Sequence, residues 1–139
     1  MLFRSLERQI EATGKLLDKL ESRGTPWLIG GDFNLLPLGQ YQRLAPELRS
    51  EYIPDSELHR LWDKYPMIPS NAEVGGIDRG KWLTHFPNDP RISGPDRTVD
   101  YFFYSPRLKR IDAQVRGEDT LLISDHFPVM ARFLLPMLP

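Results

Sequence analysis

One strand-like run constrains this chain more than any other stretch: Val99-Asp100-Tyr101-Phe102-Phe103-Tyr104. β-branched and aromatic residues suit a pleated, half-buried surface. At a period of two, Val99, Tyr101 and Phe103 face one way and Asp100, Phe102 and Tyr104 the other. Aromatic side chains on both faces predict a strand covered on both sides, and therefore a layered fold. Asp100 is then a carboxylate set into an aromatic strand. Burying it without a partner is costly, so a partner is expected from elsewhere in the chain.

A second run supplies candidates. Trp27-Leu28-Ile29 is apolar, with Thr25-Pro26 before it and Gly30-Gly31 after it, which predicts a buried strand bounded by turns. Asp32 and Asn34 follow where the chain leaves that strand. Such a pair often only closes a turn by bonding its own backbone; at a strand end it is also placed for a site. The paired glycines leave room for a ligand or another backbone.

The remaining elements are read in order. Phe3, Leu6, Ile10, Thr13, Leu17 and Leu20 recur at steps of three and four, which predicts an amphipathic helix over residues 1–23, stopped by Gly24 and Pro26. Residues 40–52 read as one or two short helices broken at Pro46. Asp55-Ser56 can cap another helix with Leu58, Leu61, Trp62 and Tyr65 on one face. Residues 66–80 read as a loop, and residues 81–86, 111–115 and 129–134 as strands. Asp125-His126 lies just ahead of the last strand.

Composition narrows the class. A chain of 139 residues with 40% hydrophobic content is one globular domain at most. It contains no cysteine, which excludes disulfides and thiolate metal sites and fits a reducing, cytoplasmic setting. No run approaches the length of a transmembrane segment. A net charge of −1 argues against coating of nucleic acid. Between Arg79 and Arg116, however, Lys and Arg outnumber Asp and Glu eight to four. That excess is either a solvated rim or a local field suited to a phosphate-bearing substrate.

Three acid-centred clusters thus stand at strand ends or within a strand: Asp32/Asn34, Asp100 and Asp125/His126. In this order they resemble motifs of the endonuclease/exonuclease/phosphatase superfamily, the DNase I-like fold. Gly30-Gly31-Asp32-Phe33-Asn34 is similar to its Gly-Asp-Phe-Asn motif, and Thr98–Ser105 to its Ile/Val-Asp-Tyr-Ile/Phe-Phe-x-Ser strand. Ser124-Asp125-His126-Phe127-Pro128-Val129 resembles its Ser-Asp-His-x-Pro-Val ending. Thr84 is similar to a threonine found shortly before the Val-Asp-Tyr strand.

The resemblance implies an α+β fold, namely the C-terminal half of a four-layer α/β/β/α sandwich. One mainly antiparallel sheet with flanking helices is expected, its inner face left for self-association or for pairing with a missing N-terminal half. The family's principal metal-binding Glu has no counterpart in residues 1–139, so activity of this length alone is expected to be weak or nil. A scaffold that keeps the site residues without turnover is the alternative.

The implied reaction is hydrolysis of a phosphate ester of nucleic acid, lipid or small molecule, dependent on Mg²⁺ or Mn²⁺. By resemblance, Asp32 activates the attacking water and Asn34 holds the nucleophile or a phosphate oxygen. His126 bonds a non-bridging oxygen, and Asp100 orients His126 and raises its pKa. Asp125, with Asp32, binds the cation. Thr84 and His85 either border the pocket or simply end a strand, and Arg97 either meets substrate phosphate or caps a surface; all three are further candidates for substrate contact.

Overall fold

The computed structural model describes residues 2–137, with side chains described from Ser5 onward. It is an α+β chain with antiparallel strands, in keeping with a DNase I-like domain. Helix α1 (Leu2–Ser22) leads to β1 (Leu28–Asp32); two 3₁₀ turns and the short helix α2 (His59–Trp62) follow. Next come β2 (Met67–Ile68), α3 (Asn71–Gly75), a third 3₁₀ turn (Arg79–Trp82), β3 (Asp100–Tyr104), β4 (Lys109–Val115) and β5 (Val129–Leu134). No described helix is long and apolar enough to cross a membrane.

The expected single sheet is divided. β3 is the centre of a three-stranded sheet in the order β1-β3-β2, while β4 and β5 pair apart as a hairpin. A turn closed by Leu108 N–H on the Ser105 carbonyl separates β3 from β4. The two sheets meet where the Tyr104 and Phe133 rings lie 4.9 Å apart.

α1 covers one face of the three-stranded sheet. Its stripe of Leu6, Ile10, Leu17 and Leu20 packs with Leu58 and Leu61 against Tyr101 and Phe103. Phe3, predicted for the same stripe, lies outside the described side chains. Complete burial of a side chain such as Leu17 contributes roughly 1.5–3 kcal/mol. Gly24 ends the helix at φ 69°, donating to the Glu21 carbonyl. Glu21 then accepts from Trp27 Nε1 and Ser105 Oγ, both at 3.0 Å, which ties the helix end to the strands beneath it.

The opposite face carries Leu28, Gly30 and Asp32 of β1 opposite Tyr104, Phe102 and Asp100 of β3. Coverage is therefore unequal: Tyr101 and Phe103 are buried, Phe102 and Tyr104 half-buried, and Leu28 is 45% exposed. The room left by Gly30 is taken by a side chain of the same sheet, because a Cβ there would sit 2.5 Å from the Phe102 ring.

Residues 81–86 do not form the expected strand. Their first part belongs to the third 3₁₀ turn, and only His85 makes bridges, to Arg97 and to His126. Residues 84–86 are held between two different neighbours: Thr84 and His85 N–H donate to the Arg97 carbonyl and Phe86 N–H to the Asp125 carbonyl. This short clamp joins the approach to β3 with the segment carrying His126.

Candidate active site

Strand pairing builds the first part of the site. The β1–β3 register sets Asp32 directly opposite Asp100, on one face at one end of the sheet. Just beyond β1, Asn34 donates its backbone N–H to Asp32 Oδ1 at 2.7 Å, with φ of 52°. Asparagine tolerates this left-handed conformation better than most residues. The turn-closing role weighed from the sequence is thus real, and Asp32 Oδ2 lies outside it.

The 84–86 clamp delivers the second part. Phe127 N–H donates to the Thr84 carbonyl at 2.7 Å, and Ser124 Oγ accepts His126 N–H at 3.1 Å. His126 is thereby aimed at the β1–β3 corner. Its Nδ1 lies 2.9 Å and 3.2 Å from the two Asp100 carboxylate oxygens, and its Nε2 lies 3.9 Å from Asp32 Oδ2. Asp100 therefore has the partner its place in the strand demanded.

The electrostatics of this group favour the imidazolium. Partial burial acts to lower the His126 pKa, but the Asp100 hydrogen bond and the charges of Asp100, Asp32 and Asp125 outweigh it and raise the value above 6.5. Beside this ring stands His85, its ring centroid 4.3 Å from that of His126 and its Nδ1 2.9 Å from the Asp125 carbonyl oxygen. Three sequence-distant acids thus gather around one imidazole.

A model of the Endonuclease/Exonuclease/phosphatase family matches residues 2–126. The chain belongs to that family. No curated protein and no solved structure gives a match. Membership places the chain in a superfamily of phosphoesterases and nucleases, whose members generally use divalent metals and act on phosphate esters.

The donors near His126 fit a hard divalent cation. Asp32 and Asp125 are exposed, and among the described residues neither is ion-paired with Lys or Arg. Oxygen donors of this kind suit Mg²⁺ or Mn²⁺. One ligand atom each from Asp32, Asp100 and His126 lies within 4.8 Å of the others, as does one each from His85, Asp125 and His126.

Two remaining candidates occupy different surroundings. Thr84 is fully buried, and its Oγ1 accepts the Val99 and Asp100 N–H groups at 3.0 Å and 3.2 Å. It fastens the start of β3 and so fixes where Asp100 emerges. Arg97 is 2% exposed, with its guanidinium committed to Asp96, Glu51 and Tyr52.

The wider basic field is also neutralised locally. Six of the eight cations between Arg79 and Arg116 are ion-paired, through Asp78, Asp89, Glu51 with Asp96, Glu21, Glu73 and Asp119. A residue passed over in the sequence also contributes to positioning. Buried Gln40 accepts Thr98 N–H at 2.7 Å and donates to Thr98 Oγ1 at 3.2 Å, bracing the entry to β3. A lone Gln in a loop offers no sequence signal for that role.

Proposed function

We propose that the chain is a metal-dependent hydrolase of phosphate esters, with Asp32, Asn34, Asp100 and His126 as its catalytic group. The observation that carries this reading is His126, donating to Asp100 from one ring nitrogen and facing Asp32 with the other. In its imidazolium form, His126 donates from Nε2 to a non-bridging phosphate oxygen. Asp100 orients the ring and stabilises that charge. Asp32 accepts a proton from the attacking water, and the Asn34 amide holds the water or a phosphate oxygen. Asp32 and Asp125 would hold Mg²⁺ or Mn²⁺, which when bound neutralises phosphoryl charge.

Among phosphate esters, a small or lipid-like phosphodiester suits the chain better than duplex DNA. The net charge is −1 and most nearby cations are already paired, so little positive surface is left to track a duplex. A non-catalytic scaffold is the second reading. It is favoured by the commitment of Asp100 to His126, which leaves Asp32 and Asp125, among the described residues of the site, to meet a cation. Mg²⁺ keeps several waters and is usually held by one or two carboxylates together with substrate phosphates, so its affinity for this pair without substrate should be low.

The deciding experiment is hydrolysis of bis(p-nitrophenyl) phosphate with Mg²⁺, with and without chelator, for residues 1–139 and for the longest natural form of the chain. Chelator-sensitive turnover lost in Asp32→Ala supports the hydrolase. Inertness of the longest form on every phosphate ester tried favours the scaffold.

A further inference from the structure

Two imidazoles stand side by side at the edge of the site. His85 and His126 bridge as antiparallel neighbours, which sets their rings 4.3 Å apart with a tilt of 34°. Each ring has its Nδ1 engaged by an oxygen that can only accept: the Asp125 carbonyl for His85 and the Asp100 carboxylate for His126, both at 2.9 Å. Each neutral ring therefore carries its hydrogen on Nδ1 and a lone pair on Nε2. Metal-ligating histidines have this arrangement, one nitrogen fixed by a carboxylate or carbonyl and the other turned to the ion. Asp125, exposed and next in sequence to His126, adds a carboxylate. One ligand atom from each of the three residues lies within 4.8 Å of the other two. Hydrolysis as assigned above makes no use of the His85 ring.

We propose that His85, His126 and Asp125 form an imidazole-rich cation site selective for Zn²⁺-class ions over Mg²⁺, and that filling it stops phosphate hydrolysis. The selectivity follows from the donors. Imidazole nitrogen suits zinc, cobalt and nickel, whereas Mg²⁺ prefers hard oxygen and dehydrates reluctantly. The inhibition rests on the proposed role of His126 in hydrolysis. Its Nε2 can donate a hydrogen to a phosphate oxygen or offer a lone pair to a metal, and cannot do both at once. The same ion would also withdraw Asp125 from the carboxylates available to Mg²⁺.

Co²⁺ is the probe. Titrating it into the whole chain should give a saturable visible absorption band that Zn²⁺ abolishes and excess Mg²⁺ leaves intact. Proton NMR of the Co²⁺-loaded wild type should show two strongly shifted imidazole N–H resonances, one per histidine. His85→Gln keeps a donor for the Asp125 carbonyl and His85→Phe keeps the ring stacking. Each should bind Co²⁺ at least about tenfold more weakly, with an unchanged far-UV circular dichroism spectrum. In Mg²⁺-supported hydrolysis, scaled to each protein's own zinc-free rate, both variants should need at least about tenfold more Zn²⁺ for half-inhibition. Unchanged Co²⁺ affinity in the folded variants, or no shifted imidazole resonances in the wild type, overturns the site. Equal zinc inhibition despite weakened Co²⁺ binding overturns the inhibitory role alone. Absence of any zinc-free turnover by the longest natural form of the chain refutes that role together with the hydrolase reading, while the Co²⁺ titration still decides the site.

Discussion

Asp32 and Asp100 are directly paired across β1 and β3, and His126 lies between their carboxylates. Two like charges directly opposite on neighbouring strands repel, so a cation near both stabilises the pair. An imidazolium meets that need without a metal. The same strand pairing that builds the sheet therefore creates the electrostatic demand that His126 satisfies.

Replacing Asp100 with Asn should show this directly. The hydrogen bond and much of the negative field would be lost, so the His126 pKa should fall. The alkaline limb of the phosphodiesterase pH profile should move down by the same amount, and NMR titration of the ring checks it without substrate. The sign for stability follows from the raised value in the wild type. The ion pair stabilises the fold fully below pH 6.5 and is lost as pH rises through the higher folded-state pKa. The wild-type advantage over Asp100→Asn in denaturant melts should therefore shrink between those limits.

Asp32→Ala should lower turnover by at least about a hundredfold, the usual scale for loss of a positioned proton acceptor. Chelator should abolish turnover in the wild type, and Mg²⁺ or Mn²⁺ should restore it. A variant within threefold of the wild type under about saturating metal would remove Asp32 from the reaction.

The α+β class and the residues of the candidate site were legible in the sequence; the division of the sheet was not. Asp32, Asp100 and His126 were readable because each belongs to a motif whose neighbours are themselves patterned: a strand end, an alternating aromatic run and an Asp-His-x-Pro turn. Their convergence came from strand register, which no local pattern states. The 3₁₀ turns on either side of Pro46 followed the sequence, with Pro46 opening the second. Helix α3 was hidden in a stretch read as loop, although Ser70 and Glu73 form a reciprocal capping box. Prolines and glycines around it dominated the reading. Arg97 shows a simpler limit. A sequence gives a cation its charge and leaves its burial open; here the packing of Tyr52 and Glu51 decides it.

Gly30→Ala tests the sheet face that carries the site. The added methyl would fall within 2.5 Å of the Phe102 ring, which is half-buried and can swing outward at some loss of packing. A destabilisation of about 1–2 kcal/mol is expected, readable as a lower denaturant midpoint with unchanged slope. Stability within error of the wild type would mean that the contact yields freely.

Arg97→Gln should cost stability more than activity. The guanidinium is buried, and it bonds Asp96 through Nε at 2.8 Å and Glu51 and Tyr52 through one terminal nitrogen at 3.0 Å and 3.2 Å. Removing the cation leaves Asp96 and Glu51 facing each other without compensation, although both retain some contact with water. Loss of one partner of a buried ion pair costs up to about 5 kcal/mol; the water contact here reduces the expectation to about 3 kcal/mol. At a temperature where the variant remains folded, KM for a phosphodiester should match the wild type. A raised KM with unaltered stability would instead make Arg97 a substrate contact.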